Sequence, residues 1–204
     1  MIIKVCGMTN AENIRQIESS GIDLIGHIFY PQSPRYVSET GIPPHPAQAL
    51  SVGVFVNQDR DTILRTVKAA RLDYVQLHGT ESPELCRTLH EKGIGIIKAF
   101  AIAAAKDLSE TNVYEGTCDY YLFDTKCTAY GGSGRAFDWN TLQHYAGRTP
   151  FLLSGGIGID SLPALREFTH PMLAGYDLNS RFETSPGIKD AGRIRRFLQE
   201  ITTI

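Results

Sequence analysis

Tyr120-Tyr121-Leu122-Phe123-Asp124 is a short apolar run that ends on a carboxylate, and Ile2-Ile3-Lys4-Val5-Cys6 is its counterpart near the start of the chain, ending on a thiol. Loop-forming residues follow each run at once. A polar group where a strand stops is what a parallel β/α enzyme requires, because the C-terminal ends of its strands converge on one face and that face holds the site. Side chains alternate along a strand, so Lys4 and Cys6 share a face, as do Tyr120, Leu122 and Asp124.

Working outward from these two, similar runs recur at 2–6, 23–29, 52–56, 74–77, 95–100, 120–124, 151–154 and 172–177. Several are continuous rather than alternating, which suits strands covered on both faces. Helix signals lie between them. Thr9-Asn10-Ala11-Glu12 offers a capping threonine with an acid three residues on. Gln58-Asp59-Arg60-Asp61 precedes Ile63, Leu64 and Val67, and Glu81-Ser82-Pro83-Glu84 has proline where a first turn tolerates it. Gly158-Ile159-Asp160-Ser161 introduces Leu162 and Leu165, and Asp190 precedes the apolar face of Ile194, Phe197, Leu198 and Ile201.

Two intervals are poor. Pro43, Pro44 and Pro46 predict a second helix that is short or absent, and residues 103–116 support only a weak fifth one. Strand candidates separated by crossover-sized segments predict a single (β/α)8 barrel domain over residues 1–204, lean in its loops. An open doubly wound sheet is the structural alternative.

The chain has 204 residues, 42% hydrophobic and 21% charged, with a formal net charge of -2, which is ordinary globular composition. No basic excess exists for phosphate-backbone binding, which argues against nucleic acid. No run approaches the roughly 18 apolar residues of a membrane helix, and the first residues read as strand and turn, so a cytoplasmic protein is expected. The cysteines at 6, 86, 118 and 127 form no CxxC pair and no zinc spacing, and fit reduced thiols. No metal is expected, and no GxGxxG fingerprint follows the first strand. Monomer and homodimer both remain open.

Each candidate has a bland reading beside its functional one. Cys6 alone is a small buried hydrophobe; at a strand end beside Gly7 it is a base, if a nearby cation or helix N-terminus helps it deprotonate. Asp124 alone is a cap or turn residue. Among Tyr121, Leu122 and Phe123, desolvation would keep it protonated as a general acid. Ser154-Gly155-Gly156-Ile157-Gly158 and Asp177-Leu178-Asn179-Ser180-Arg181 follow the seventh and eighth strands, the frequent phosphate site of this fold. Arg35 offers a carboxylate paired hydrogen bonds, or is simply solvated. His78 shares a face with Gln76 and reads as a polar contact or, more simply, a structural hydrogen-bonder. The glycines of 130–135 are a plain connection or a lid.

Together the motifs resemble the phosphoribosylanthranilate isomerase family. The matching segments run in family order: Lys4-Val5-Cys6-Gly7-Met8-Thr9, Ser33-Pro34-Arg35-Tyr36-Val37, Val75-Gln76-Leu77-His78-Gly79, Ile97-Lys98-Ala99-Phe100, Phe123-Asp124-Thr125-Lys126, Leu153-Ser154-Gly155-Gly156-Ile157 and Pro186-Gly187-Ile188-Lys189-Asp190. The resemblance implies a (β/α)8 barrel of tryptophan biosynthesis that performs an Amadori rearrangement without cofactor. It implies Cys6 as general base, Asp124 as general acid, Arg35 near the anthranilate carboxylate, and phosphate against Gly155-Gly156 and Asn179-Ser180-Arg181.

The eighth-strand loop departs from the usual Asp-Val-Ser-Ser-Gly-Val-Glu, with Arg181 in place of the glycine; a cation on the phosphate is the expected consequence. The nearest rival, the histidine-pathway aminoaldose isomerase, usually carries a carboxylate where this chain has Cys6. A barrel that only binds a phosphorylated ligand is the reading from another class, and retention of both Cys6 and Asp124 argues against it.

Overall fold

The structure, a computed structural model, describes residues 1–38, 40–125 and 139–202. Eight strands hydrogen-bond in sequence order and close into a parallel barrel: β1 Ile2–Cys6, β2 Leu24–Ile28, β3 Leu50–Phe55, β4 Tyr74–Leu77, β5 Gly95–Ile102, β6 Tyr120–Thr125, β7 Phe151–Leu153 and β8 Leu173–Leu178. Closure is made by β1 on β8, in register from Ile2↔Gly175 to Val5↔Leu178. The open doubly wound sheet is thereby excluded.

Alternation then sorts the side chains. Leu24, Val52, Ile97, Leu122 and Leu152 fill the barrel interior. Ile3, Val5, Ile25, Tyr121 and Phe123 point outward beneath the helices. These are α1 Ala11–Glu18, α2 Arg60–Ala70, α3 Pro83–His90, α4 Leu162–Glu167 and α5 Ala191–Thr202. Ile14 and Ile17 of α1, Ile63 of α2, Leu89 of α3, and Ile194 and Phe197 of α5 are all buried on the barrel side.

Side chains start the helices where the signals lie, with one difference. Asp59, Ser82 and Asp190 accept from Thr62 N, Leu85 N and Arg193 N. At α1 the cap is Asn10, which accepts from Asn13 N, not Thr9. Thr9 Oγ1 donates instead to Gly187 O, on the hairpin of β9 Glu183–Ser185 and β10 Ile188–Lys189.

Among the described residues no helix lies between β2 and β3; Tyr36 bridges to Ile28, and the Glu18 carboxylate accepts from Gln48 N and Ala49 N at 2.8 and 3.0 Å. The fifth crossover is a 3-10 helix, Ala105–Tyr114, and Trp139–His144 is another in the sixth. The glycine segment 130–135, with its lid reading, lies outside the described residues.

At the opposite end of the barrel, Asp23, Asp73 and Asp119 each stand just before an even strand and accept from Ile3 N, Ser51 N and Ile96 N, all at 2.7 Å. Each carboxylate ties the start of the preceding odd strand to the loop behind it. Asp119→Ala removes one such charged acceptor, and urea unfolding is expected to show a loss of about 1–2 kcal/mol.

Candidate active site

Strand geometry places Cys6, the last residue of β1, and Asp124, the penultimate residue of β6, at the same mouth, with only β7 and β8 between their strands. A cavity of about 430 Å³ opens there. Its wall includes Asp124, Ser154, Gly155, Gly156, Asp177, Asn179, Ser180 and Arg181. Gly155 and Gly156 hold φ of 84° and 69°, a region that side-chain-bearing residues resist, so bare backbone faces the space.

Cys6 lies beside this cavity rather than on its wall and is only 3% exposed. Room for its Sγ comes from Gly26 on β2, where a Cβ would sit 2.8 Å from the sulfur. Beneath it Lys4, fully buried, holds Asp177 Oδ1 at 2.8 Å and sets its positive charge beside the thiol. Burial opposes the Lys4 charge, yet Asp177 and Cys6 beside it keep the ammonium above its ordinary pKa. Burial also raises the Cys6 pKa, against the pull of Lys4 and, farther off, Lys189. The cation expected to help this thiol is therefore Lys4, its neighbour on the same strand face. Asp177 Oδ2 accepts from Ser154 Oγ at 3.3 Å, so the chain of polar groups from Cys6 ends on the cavity wall.

Gly7 turns the chain with φ +78°, and a Cβ there would fall 2.6 Å from Arg35 Cδ and 3.1 Å from Asn179 Oδ1. That close approach seats Arg35 and Asn179 next to Cys6. Arg35 does grip a carboxylate with a fork, but an internal one: Nε and Nη2 bond Glu183 Oε1 and Oε2 at 2.7 and 2.6 Å. Lys189 joins them, reaching Glu183 Oε1 at 2.6 Å and Asn179 Oδ1 at 2.7 Å. Burial alone would raise Glu183, but the hydrogen bonds from Arg35 and Lys189 hold its carboxyl down at about 2. Its contribution to stability is complete above the ordinary carboxylate range, declines as the pH falls below that range, and is gone once the pH has passed through about 2.

On the β6 side, Asp124 faces His78, with Nε2 and Oδ2 3.5 Å apart and each side chain 35% exposed. The desolvating cage expected of its neighbours does not form. Tyr121 and Phe123 belong to the outward face, and only Leu122 shares the interior with Asp124. Arg181 lines the cavity, yet its Nη2 bonds Asp160 Oδ2 at 2.5 Å, half exposed at the rim. That partner draws the cation toward solvent.

Lys4, Asp177, Glu183 and Lys189 join these residues through buried ion pairs and hydrogen bonds that the motifs alone do not specify. Lys4 carried a readable signal, a charge in phase with Cys6 inside an apolar strand. The other three depend on contacts between distant parts of the chain.

A closed (β/α)8 barrel with a thiol, carboxylates and an imidazole gathered at the C-terminal mouth of its strands defines an enzyme of the barrel class. The family model described as N-(5'phosphoribosyl)anthranilate (PRA) isomerase matches residues 3–200. An N-(5'-phosphoribosyl)anthranilate isomerase of Phocaeicola vulgatus is 52% identical, over 98% of this chain and 98% of its own. The crystal structure of phosphoribosyl anthranilate isomerase from Thermotoga maritima superposes with a TM-score of 0.87 at 34% identity, over the whole of both chains. Phosphoribosyl anthranilate isomerase in complex with reduced 1-(o-carboxyphenylamino)-1-deoxyribulose 5-phosphate gives 0.85 at 32%, again over both chains entire. The chain belongs to the N-(5'-phosphoribosyl)anthranilate isomerase family, and it is an isomerase of the aldose–ketose kind.

Proposed function

We propose that this isomerase converts N-(5-phosphoribosyl)anthranilate to 1-(2-carboxyphenylamino)-1-deoxyribulose 5-phosphate, with Asp124 as general acid and Cys6 as general base. The observation that carries the assignment is one mouth with Asp124 on the cavity wall and Cys6 beside it, next to the charge of Lys4, which Asp177 and Ser154 link to that wall.

The chemistry divides naturally between two such groups. Asp124 gives its proton to the ribose ring oxygen as the anthranilate nitrogen pushes its electron pair toward C1′, breaking the C1′–O bond. The resulting iminium acidifies the C2′ hydrogen, and the Cys6 thiolate removes it. The electrons flow back to nitrogen as an enolamine, which tautomerises to the ketone by gaining a proton at C1′ and losing one from the 2′ hydroxyl. Each step is a proton transfer, so neither metal nor organic cofactor is chemically required.

Lys4 stabilises the thiolate against the cost of burial. The phosphate is read against Gly155, Gly156, Asn179 and Ser180, with Arg181 completing that rim if it leaves Asp160. Anchoring there, away from the reacting carbons, lets binding energy serve orientation. Arg35 spends Nε and Nη2 on Glu183, which leaves Nη1 for the anthranilate carboxylate. We place the enzyme in the cytoplasm, a reading supported by the free thiols of Cys6, Cys86 and Cys118.

Purified protein is expected to consume the fluorescent substrate with no added metal, and the gene to complement a tryptophan-requiring strain lacking this isomerase. Binding without turnover would support the inert-barrel reading instead.

A further inference from the structure

We propose that Gln76 is a positioning residue for the acid step: it fixes His78 as the neutral Nε2–H tautomer, so that the imidazole donates to Asp124 Oδ2 and leaves Oδ1 to carry the transferable proton. The proposal rests on the acid role given to Asp124 above.

Gln76 lies inside the barrel, 1% exposed, two residues before His78 on the same strand face. Its Nε2 is 2.8 Å from His78 Nδ1. An amide nitrogen only donates, so Nδ1 must accept, and the proton of a neutral ring belongs on Nε2. The opposite amide orientation would put both hydrogens of a buried NH2 where Oε1 now stands without a partner. Leaving one carbonyl oxygen unpaired is the smaller cost.

The direction of that proton matters because His78 Nε2 faces Asp124 Oδ2 at 3.5 Å, a spacing of the kind that tightens when substrate binds. With Nε2–H the imidazole donates, and it stabilises the carboxylate that remains once Asp124 has given up its proton. With Nδ1–H, Nε2 would present a lone pair, and the acid proton would be held between Oδ2 and Nε2, turned from the substrate.

The strand end that carries His78 is itself anchored. Lys98 Nζ, on the outward face of β5, donates to Leu77 O and Gly79 O at 3.1 and 2.8 Å, the two carbonyls that bracket His78. Its ion-pair partner Glu81 accepts from Gly79 N and Asn57 N, and both charged side chains are 2% exposed. A buried pair is weak evidence of stabilisation by itself. Here its hydrogen bonds converge on the turn that sets the imidazole.

Gln76→Leu tests the idea. The change removes a half-satisfied buried amide at similar volume, so a merely structural role predicts an unchanged melting temperature and unchanged turnover. The positioning role predicts kcat down by about tenfold with KM within about twofold. Nitrogen-15 spectra of His78 are expected to show Nε2 protonated and Nδ1 bare in the wild type, and a mixture in the variant. A wild-type ring protonated on Nδ1 alone, or full turnover in Gln76→Leu, overturns the proposal. The expected tautomer in a wild-type protein that does not turn over overturns instead the acid role on which it rests.

Discussion

Cys6→Ser is expected to lower kcat by roughly a hundredfold or more, with little change in KM and an unchanged circular dichroism spectrum. Serine fills the space that Gly26 leaves for the sulfur, so the packing survives. The base does not, because a hydroxyl holds its proton far more tightly than a thiol. A hundredfold corresponds to about 2.7 kcal/mol of lost transition-state stabilisation, the scale of one proton-transfer partner. In the wild type, burial raises the thiol pKa while Lys4 works against it, and the reactive form is the thiolate. The thiolate fraction therefore climbs as pH rises, and its upper limb continues past the ordinary thiol range. Alkylation of Cys6 by iodoacetamide, followed by peptide mass spectrometry, should climb over the same interval. Near-normal turnover in Cys6→Ser would remove the base assignment.

How far these features can be read from residues alone depends on the range of the contact involved. Strand ends are local: Ile2-Ile3-Lys4-Val5 and Tyr120-Tyr121-Leu122-Phe123 announce themselves by continuous apolar character, and the polar residue that follows marks the mouth. The missing second helix is local too, since Pro43, Pro44 and Pro46 each remove a donor. The partners of the site are not local. Lys4 meets Asp177 across 173 residues, and that contact exists only because β1 closes on β8. Arg35 finds Glu183 across 148 residues, so its appetite for a carboxylate is legible while the identity of its partner is not. Thr9 against Asn10 is subtler: both side chains can cap a helix, and the choice falls to a hairpin carbonyl at Gly187 that occupies the threonine hydroxyl. Asp124 shows the reverse failure. Its apolar sequence neighbours suggested desolvation, but alternation sends Tyr121 and Phe123 to the other side of the sheet.

Asp124→Asn is expected to cost roughly a hundredfold or more in kcat for a different reason, and the two variants can be told apart. Asparagine keeps the shape of the carboxyl and can still face His78, but it has no acidic proton to deliver to the ring oxygen. The C1′–O bond then stays closed, and nothing downstream begins. In Cys6→Ser the acid remains, so the ring still opens and recloses, and bound substrate should interchange its anomers without forming product. Nuclear magnetic resonance of the anomeric carbon is therefore expected to show accelerated exchange with Cys6→Ser and none with Asp124→Asn. Deuterium placed at C2′ should be retained in both, because its removal requires first the iminium and then the base. Anomer exchange that survives in Asp124→Asn would mean that some other group opens the ring, and His78, which stands 3.5 Å from Asp124, would be the next to test.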